Sequence, residues 1–348
     1  MTTMEKIRDL GGSGQPFRLH LADARVLEVK GRDWISTHSA RPPHVTSELR
    51  VLFAAGMREL AGEGLCSAHH GLSLLIIARA NGQERTVLFD AGPDPYAIER
   101  NARRMGLEFG RIEAVVLSHG HFDHSEGLLK AVELIREQNG QRSVPLHLHP
   151  GVFVHRALQL ASGERLPLQD VPSAEALSES GYLLVESSKE EEILDEVFFL
   201  SGEIPRTSFE RGMGNQVRLM PSGNWEPDPL VLDERFMLAH IRGKGLVIFT
   251  GCSHAGVVNI CRHAQELFPA TPLYALVGGL RLTYPNEDLI DATIAELKKF
   301  NLSVIIPGHC TGWRAVHAFV GAFGEKTVDP LAVGTRQSLK VGKFRGSN

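Results

Sequence analysis

Four side chains with an affinity for metals stand within six positions of LSHGHFDHSEGL (117–128): His119, His121, Asp123 and His124. His119 and His121 are two apart, and in extended backbone such side chains point the same way. They can therefore grip one cation from one side. Asp123 and His124 are adjacent, diverge, and can reach a second. Zinc takes imidazole and carboxylate ligands in tetrahedral sites, and a catalytic zinc keeps one position open for water. Two metals close together can share a bridging hydroxide and clamp a developing oxyanion.

Two distant histidines are placed in a similar way. His254 lies in TGCSHAG, directly after the apolar run LVIF, and His309 lies in PGHCTG, after VII. Each ends a strand candidate with a loop of small residues, and sites of α/β proteins assemble at the ends of neighbouring strands. The expected ligand set is His119, His121 and His254 on one side and Asp123, His124 and His309 on the other. A capping or core role is the plain alternative for the two distant histidines. Asp123 would also orient the nucleophile. Cys252 offers a thiolate two positions before His254; a buried small hydrophobe is the other reading. Asp90, in the DAG turn after RTVLF, could accept the second N–H of a ligating histidine. In SGEIPRTSFERGMGN (201–215), Arg206 or Arg211 could fork onto a phosphate or carboxylate; surface ion pairs with Glu203 and Glu210 are as good a reading. His147 and His149 are explained as strand residues, and His69, His70, His240, His263 and His317 as structural or surface residues.

The elements that must position these groups are partly legible. LSLLIIARA and RTVLFDAG flank Asn81-Gly82 and read as a hairpin. Residues 94–105 read as a helix, and 114–117 as a buried strand running into the histidine loop. A helix is expected from about Glu126 to Gln138, then a strand over 144–150. Helical signals at 152–161 and 173–180 alternate with strand signals at 182–187 and 197–200, followed by a long Pro/Gly-rich stretch (202–229). A hairpin is expected over 236–250, then a helix, a strand over 272–280, a helix over 286–300 capped by Asn286, and a last strand before His309. LRVLFAAG (49–56) is a further strand candidate. The expected division is an N-terminal extension and loop over 1–48 and one domain over 49–348, with an insertion at about 151–200.

Composition narrows the class. Of 348 residues, 43% are hydrophobic and 22% charged, as in an ordinary globular enzyme. The formal net charge is -4, without the basic footprint of a nucleic-acid binder. The N-terminus shows no apolar signal core, and LSLLIIA is far shorter than the ~18 residues needed to span a bilayer. The four cysteines lack CxxC spacing and read as reduced thiols of a cytoplasmic protein. The expected partner is a small anionic or phosphorylated substrate, with neither nucleic acid nor membrane; the oligomeric state is left open.

In this context HGHFDH resembles the H-x-H-x-D-H signature of the metallo-β-lactamase superfamily. HGLSLLI, LFDAG, LSHGHFDHSEGL, LSGEIPRTSFE, FTGCSHAG, LVGGL and PGHCTG, in this order over roughly 49–312, resemble the branch named for dihydropterin–ribofuranosylaminobenzene phosphate synthase. The resemblance implies an α/β (α+β) fold, the αββα sandwich, with an inserted α/β subdomain of ferredoxin-like kind. It also implies that His119, His121, Asp123, His124, His254 and His309 ligate one or two metal ions, Zn2+ foremost, with iron or manganese as the other choices. The superfamily usually has a bridging aspartate in a TGD-like turn, where this chain has Thr250-Gly251-Cys252. Either Cys252 replaces that aspartate, or His254 ligates from a different backbone position. The branch tends to carry Val-Asp-Asn near the first strand and an acidic residue before His70; here Leu52-Phe53-Ala54 and His69 stand there.

The expected activity is a metallohydrolase using a metal-bound hydroxide on an ester, phosphoester or lactone. The alternatives are a synthase acting on a phosphorylated pterin or aminobenzene precursor, and a non-enzymatic binder of a small anionic ligand. The absent signal core speaks against a secreted β-lactamase, and the acidic balance against a tRNA-processing nuclease.

Overall fold

A computed structural model describes residues 65–80, 82–210 and 212–339, and the backbone of 27–32. The strand candidate at 49–56 lies outside them. The first half runs β1 (Leu27–Arg32), β2 (Leu74–Ala80), β3 (Gln83–Phe89), α1 (Pro95–Met105), β4 (Ala114–Val116), α2 (Phe122–Ser125), α3 (Leu128–Asn139) and β5 (Val144–Leu148). The middle holds β6 (Arg156–Gln159), β7 (Arg165–Pro167), α4 (Ala174–Ser180), β8 (Tyr182–Glu186), β9 (Glu191–Ile193), β10 (Phe198–Leu200), β11 (Gln216–Leu219) and β12 (Trp225–Pro227). The last part is β13 (Met237–Ile241), β14 (Gly245–Thr250), α5 (Val257–Leu267), β15 (Leu273–Gly279), α6 (Ile290–Leu297), β16 (Val304–Gly308), α7 (Trp313–Phe323) and β17 (Val333–Leu339).

Two mixed sheets form the frame. One has seven strands in the order β17-β1-β2-β3-β4-β5-β8, the other six in the order β16-β15-β14-β13-β10-β9. Strand periodicity explains why they stack. Leu74, Ile76, Val87 and Phe89 meet Phe198, Met237, Phe249 and Val277 in one core, whereas Leu75 and Leu88 join the helices on the opposite face. Outside the first sheet, α1, α3 and α4 supply Ile98, Leu128, Ile135 and Leu177; outside the second, α5, α6 and α7 supply Val258, Ile290 and Phe319. The result is the expected αββα sandwich.

Two expectations need correction. Residues 152–161 carry the short strand β6 (Arg156–Gln159) rather than a helix, because Arg156 at its start is 4% exposed and locked into buried ion pairs with Asp228 and Asp233. The ferredoxin-like subdomain is not formed. Instead β8 extends the first sheet and β9 and β10 the second, while a small antiparallel sheet, β12-β11-β6-β7, draws its strands from two separate segments. The helix expected from about Glu126 is α3, starting at Leu128, and the short α2 precedes it; at Gly127, between the two, a Cβ would stand 2.0 Å from the Ala91 carbonyl oxygen. Two smaller differences follow. Asn286 does not cap the helix after it; its amide donates to the Arg281 carbonyl. Beyond Gly312 the chain adds α7 and β17, the latter pairing antiparallel with β1, so the first sheet begins ahead of residue 49.

Candidate metal centre

The candidate residues lie at the carboxyl ends of strands. Asp90 follows β3, the loop 117–121 follows β4, Cys252 and His254 follow β14, and His309 follows β16. β3 runs parallel to β4, and β14, β15 and β16 run parallel to one another. Their ends from the two sheets meet at one edge of the sandwich. Gly251 makes the approach feasible, since a Cβ there would stand 2.2 Å from the Ser118 hydroxyl oxygen. The turns are sharp: Asp90, Ser253 and His309 all adopt positive φ, at 60°, 58° and 50°. Left-handed backbone costs a non-glycine residue on the order of 1–2 kcal/mol, so the surrounding contacts must hold these turns.

Two donor groups result. His119, His121 and His254 bring one ligand atom each within 4.8 Å of one another, and Asp123, His124, Cys252 and His309 do the same. In the first group His121 Nδ1 lies 3.1 Å from His254 Nε2. In the second, Cys252 Sγ is 3.0 Å from His309 Nε2 and 3.3 Å from His124 Nε2, and Asp123 Oδ2 is 3.3 Å from His309 Nε2. The rings of His119 and His124, 4.3 Å apart between centroids, join the groups. All six residues expected as ligands are thus gathered, in the expected grouping, and Cys252 stands with the second set.

Three of the rings, those of His119, His121 and His124, are held from behind. Asp90, fully buried, lies 2.6 Å from His124 Nδ1 and accepts from the Ser118 backbone N–H at 2.7 Å and hydroxyl at 2.8 Å. The Ser118 hydroxyl oxygen is 2.9 Å from His119 Nδ1. Gln216 Oε1 is 2.6 Å from His121 Nε2, leaving Nδ1 for the centre. Behind it a buried chain runs from the Gln216 amide to Asp228 (3.1 Å), from Asp228 to Arg156 (3.0 Å) and from Arg156 to Asp233 (2.5 Å). Asp233 in turn accepts the Gly120 N–H at 2.8 Å. The small sheet thus braces the His-Gly-His loop. Glu234 fixes the other loop by accepting the N–H groups of His254 (2.8 Å) and Ala255 (2.6 Å). Carboxylate–histidine contacts of this kind orient metal ligands and raise their basicity.

The electrostatics suit a cation. Burial pushes His119 and His254 well below the ordinary imidazole value and His121 to about 4, so these rings are neutral near pH 7. Burial also opposes charge on His124, but Asp90 and Asp123 overcome it and raise the ring to about 9. Burial would raise the Asp123 carboxyl, yet His124 and His309 outweigh it and hold it well below the usual carboxylate range. Burial raises Glu234 to about 7 against the two N–H groups it accepts. His119 Nε2, His254 Nδ1 and His309 Nδ1 are buried without hydrogen-bond partners. An unsatisfied buried polar atom costs roughly 1–3 kcal/mol. Three neutral imidazoles in one group, and two further imidazoles, an ionised carboxylate and a thiol in the other, offer donor sets that fit divalent cations.

A Beta-lactamase superfamily domain model matches residues 85–171. The chain aligns over 90% of its length, and 99% of the other's, with the crystal structure of a metal-dependent hydrolase of the β-lactamase superfamily, at a TM-score of 0.66 and 21% identity. This is a metallo-β-lactamase fold. By sequence it is 29% identical over 264 residues, 74% of this chain and 86% of the relative, to the 7,8-dihydropterin-6-methyl-4-(β-D-ribofuranosyl)-aminobenzene-5'-phosphate synthase of Methanocaldococcus jannaschii. An uncharacterised protein of the same organism is 28% identical over 249 residues, 72% of this chain and 86% of that protein.

Several residues around this metallo-β-lactamase-type edge escape a reading of the sequence. Gln216, Arg156, Asp228, Asp233 and Glu234 come from segments with no motif. The one available signal is Glu234-Arg235, two charges placed directly before an apolar strand and both about 1% exposed. His70 stands at the mouth, its ring 4.5 Å from that of His309 and its Nε2 4.0 Å from Asp123. Arg206 does not reach toward the centre: it forks onto the carbonyls of Ile204 and Leu230. Glu210 accepts the N–H groups of Val258 and Asn259 at the start of α5, and Arg211 lies outside the described residues. His147 pairs with Glu191 (2.9 Å), and the His149 ring accepts the Gly151 N–H, so neither joins the donor groups.

Proposed function

We propose that this protein is a metal-dependent hydrolase that cleaves an ester, phosphoester or lactone of a small anionic substrate. The observation that carries the reading is the pair of braced donor groups at one sandwich edge. His119, His121 and His254 would hold one cation. Asp123, His124 and His309, with Cys252, would hold the other. The imidazole-rich sets suit zinc, and a thiolate strengthens that preference over manganese; iron is the nearest rival. Bound divalent metal supplies Lewis acidity and lowers the pKa of water. The residues of the chain do the rest. Asp123, with a side chain 13% exposed, is the most accessible of the seven donors and, kept ionised, accepts a hydrogen bond that orients the nucleophile. His70, 69% exposed, flanks the entrance. A cytoplasmic location is part of the proposal; no helix among the described residues is long and apolar enough to cross a membrane.

The relative from M. jannaschii supports a second reading, a synthase acting on a phosphorylated pterin or aminobenzene precursor. Panels of model phosphodiesters, thioesters and lactones, offered to fully metallated protein, separate the two. The hydrolase reading expects turnover of at least one class, reduced by about 100-fold or more in His121→Ala. No turnover on any class, with full metal, removes it in favour of the synthase or of a binding protein.

A further inference from the structure

Beside the second donor group lies a cavity of about 110 Å³. The β2–β3 hairpin and α1 form its walls through Leu75, Leu88, Ile98, Ala102 and Met105, and Phe109, in the turn after α1, and His309 line it as well. A concave, mostly apolar recess against a cluster of ligand-type side chains is the usual form of a small-molecule site. Its polar neighbours are already engaged. The Asn101 amide is spent on Ser67, accepting its N–H and donating to its carbonyl, both at 2.8 Å. His69 Nδ1 pairs with Asp94 at 2.6 Å. The exception is His309. Its side chain is 1% exposed, its Nε2 is turned toward Asp123 and Cys252, and its Nδ1 has no hydrogen-bond partner.

We propose that this cavity binds a single aromatic ring of the substrate and thereby sets the anionic or scissile group against the second donor group. Size and chemistry support this choice. An engineered apolar cavity of about 150 Å³ holds benzene, and the present one opens to solvent, so a single ring need not be wholly enclosed, whereas a fused bicycle exceeds it. The Phe109 and His309 rings and the Met105 thioether favour aromatic contacts over purely aliphatic ones. The orientation of the ring rests on the metal-centre reading above; its binding does not.

Calorimetric titration of metallated protein with methyl, n-butyl, phenyl and 1-naphthyl phosphate tests the proposal without requiring turnover. Phenyl phosphate is expected to bind about 10-fold or more tighter than methyl phosphate, with n-butyl between them and 1-naphthyl losing the gain. Ala102→Phe, which fills the cavity, removes the advantage of phenyl while leaving metal content and methyl phosphate affinity unchanged. Equal affinities for methyl and phenyl phosphate overturn the proposal, as do absent phenyl phosphate binding and a phenyl advantage that survives Ala102→Phe. If Ala102→Phe does not fold, the size series on unaltered protein decides. A phenyl preference accompanied by no ester turnover keeps the aryl site and removes only the hydrolase reading.

Discussion

Asp90 shows how much of the centre depends on one carboxylate. It holds the His124 ring and both hydrogen-bonding groups of Ser118, which in turn contacts His119. Asp90→Asn preserves the shape but weakens these contacts, and metal affinity should fall by roughly 10- to 100-fold in chelator competition. An unchanged affinity would remove Asp90 from the account. Cys252 is tested differently. Protein loaded with Co2+ should show a thiolate-to-metal absorption band in the near ultraviolet, and Cys252→Ser should abolish it. A band that is absent from the unaltered protein, or that persists in Cys252→Ser, contradicts ligation by Cys252. At this scale the sequence was legible where chemistry is local: four donors share one hexapeptide, and Asp90 ends a recognisable strand. Gln216 and Glu234 were not legible, because their roles exist only once distant segments meet.

Among the elements, the break between α2 and α3 carries the most weight. α2 holds Asp123 and His124, and the Ala91 N–H donates to the His124 carbonyl at 2.8 Å. Gly127 lets these backbones touch. Gly127→Val should therefore cost at least about 2 kcal/mol by urea denaturation and lower the metal content with it. Gly321, in α7, is the contrast: a Cβ there meets nothing within 4 Å. Gly321→Ala should stabilise by about 0.4–1 kcal/mol without changing metal content. The hairpin and the helix over 94–105 could be read from turn residues and periodicity; Asp94 caps α1 through the Ala97 N–H and Gly106 closes it. β6 could not, because long-range ion pairs on Arg156 override its local pattern. The extra turn α2 ahead of Gly127 was not legible, because what fixes it is the contact with the opposing Ala91 backbone.

For the whole molecule, burying neutral histidines has a consequence for stability. Burial depresses His119, His121 and His254 in the folded state, His121 to about 4. The unfolded chain binds protons there below about pH 6.5. In metal-stripped protein this contribution is present above that pH and lost as pH falls through it. His124, raised to about 9, contributes in the opposite sense: its share is full below pH 6.5 and lost as pH rises through 9. Glu234, raised to about 7, also adds stability as pH falls through that value, but three depressed rings outweigh His124 and Glu234 together, so the urea midpoint should drop between pH 6.5 and 5; an equal or higher midpoint at pH 5 contradicts this balance. The sandwich itself was legible through motif order. The sheet order was not, since β8, β9, β10 and β17 join through pairings that no local signal encodes. On the proposed reading two cations sit in the two donor groups, His254 serving the first. Metal analysis of protein purified without added metal, beside His254→Ala, tests it most directly. About two equivalents per chain, falling to about one in His254→Ala, is the predicted result; a ratio unchanged by the substitution would contradict it.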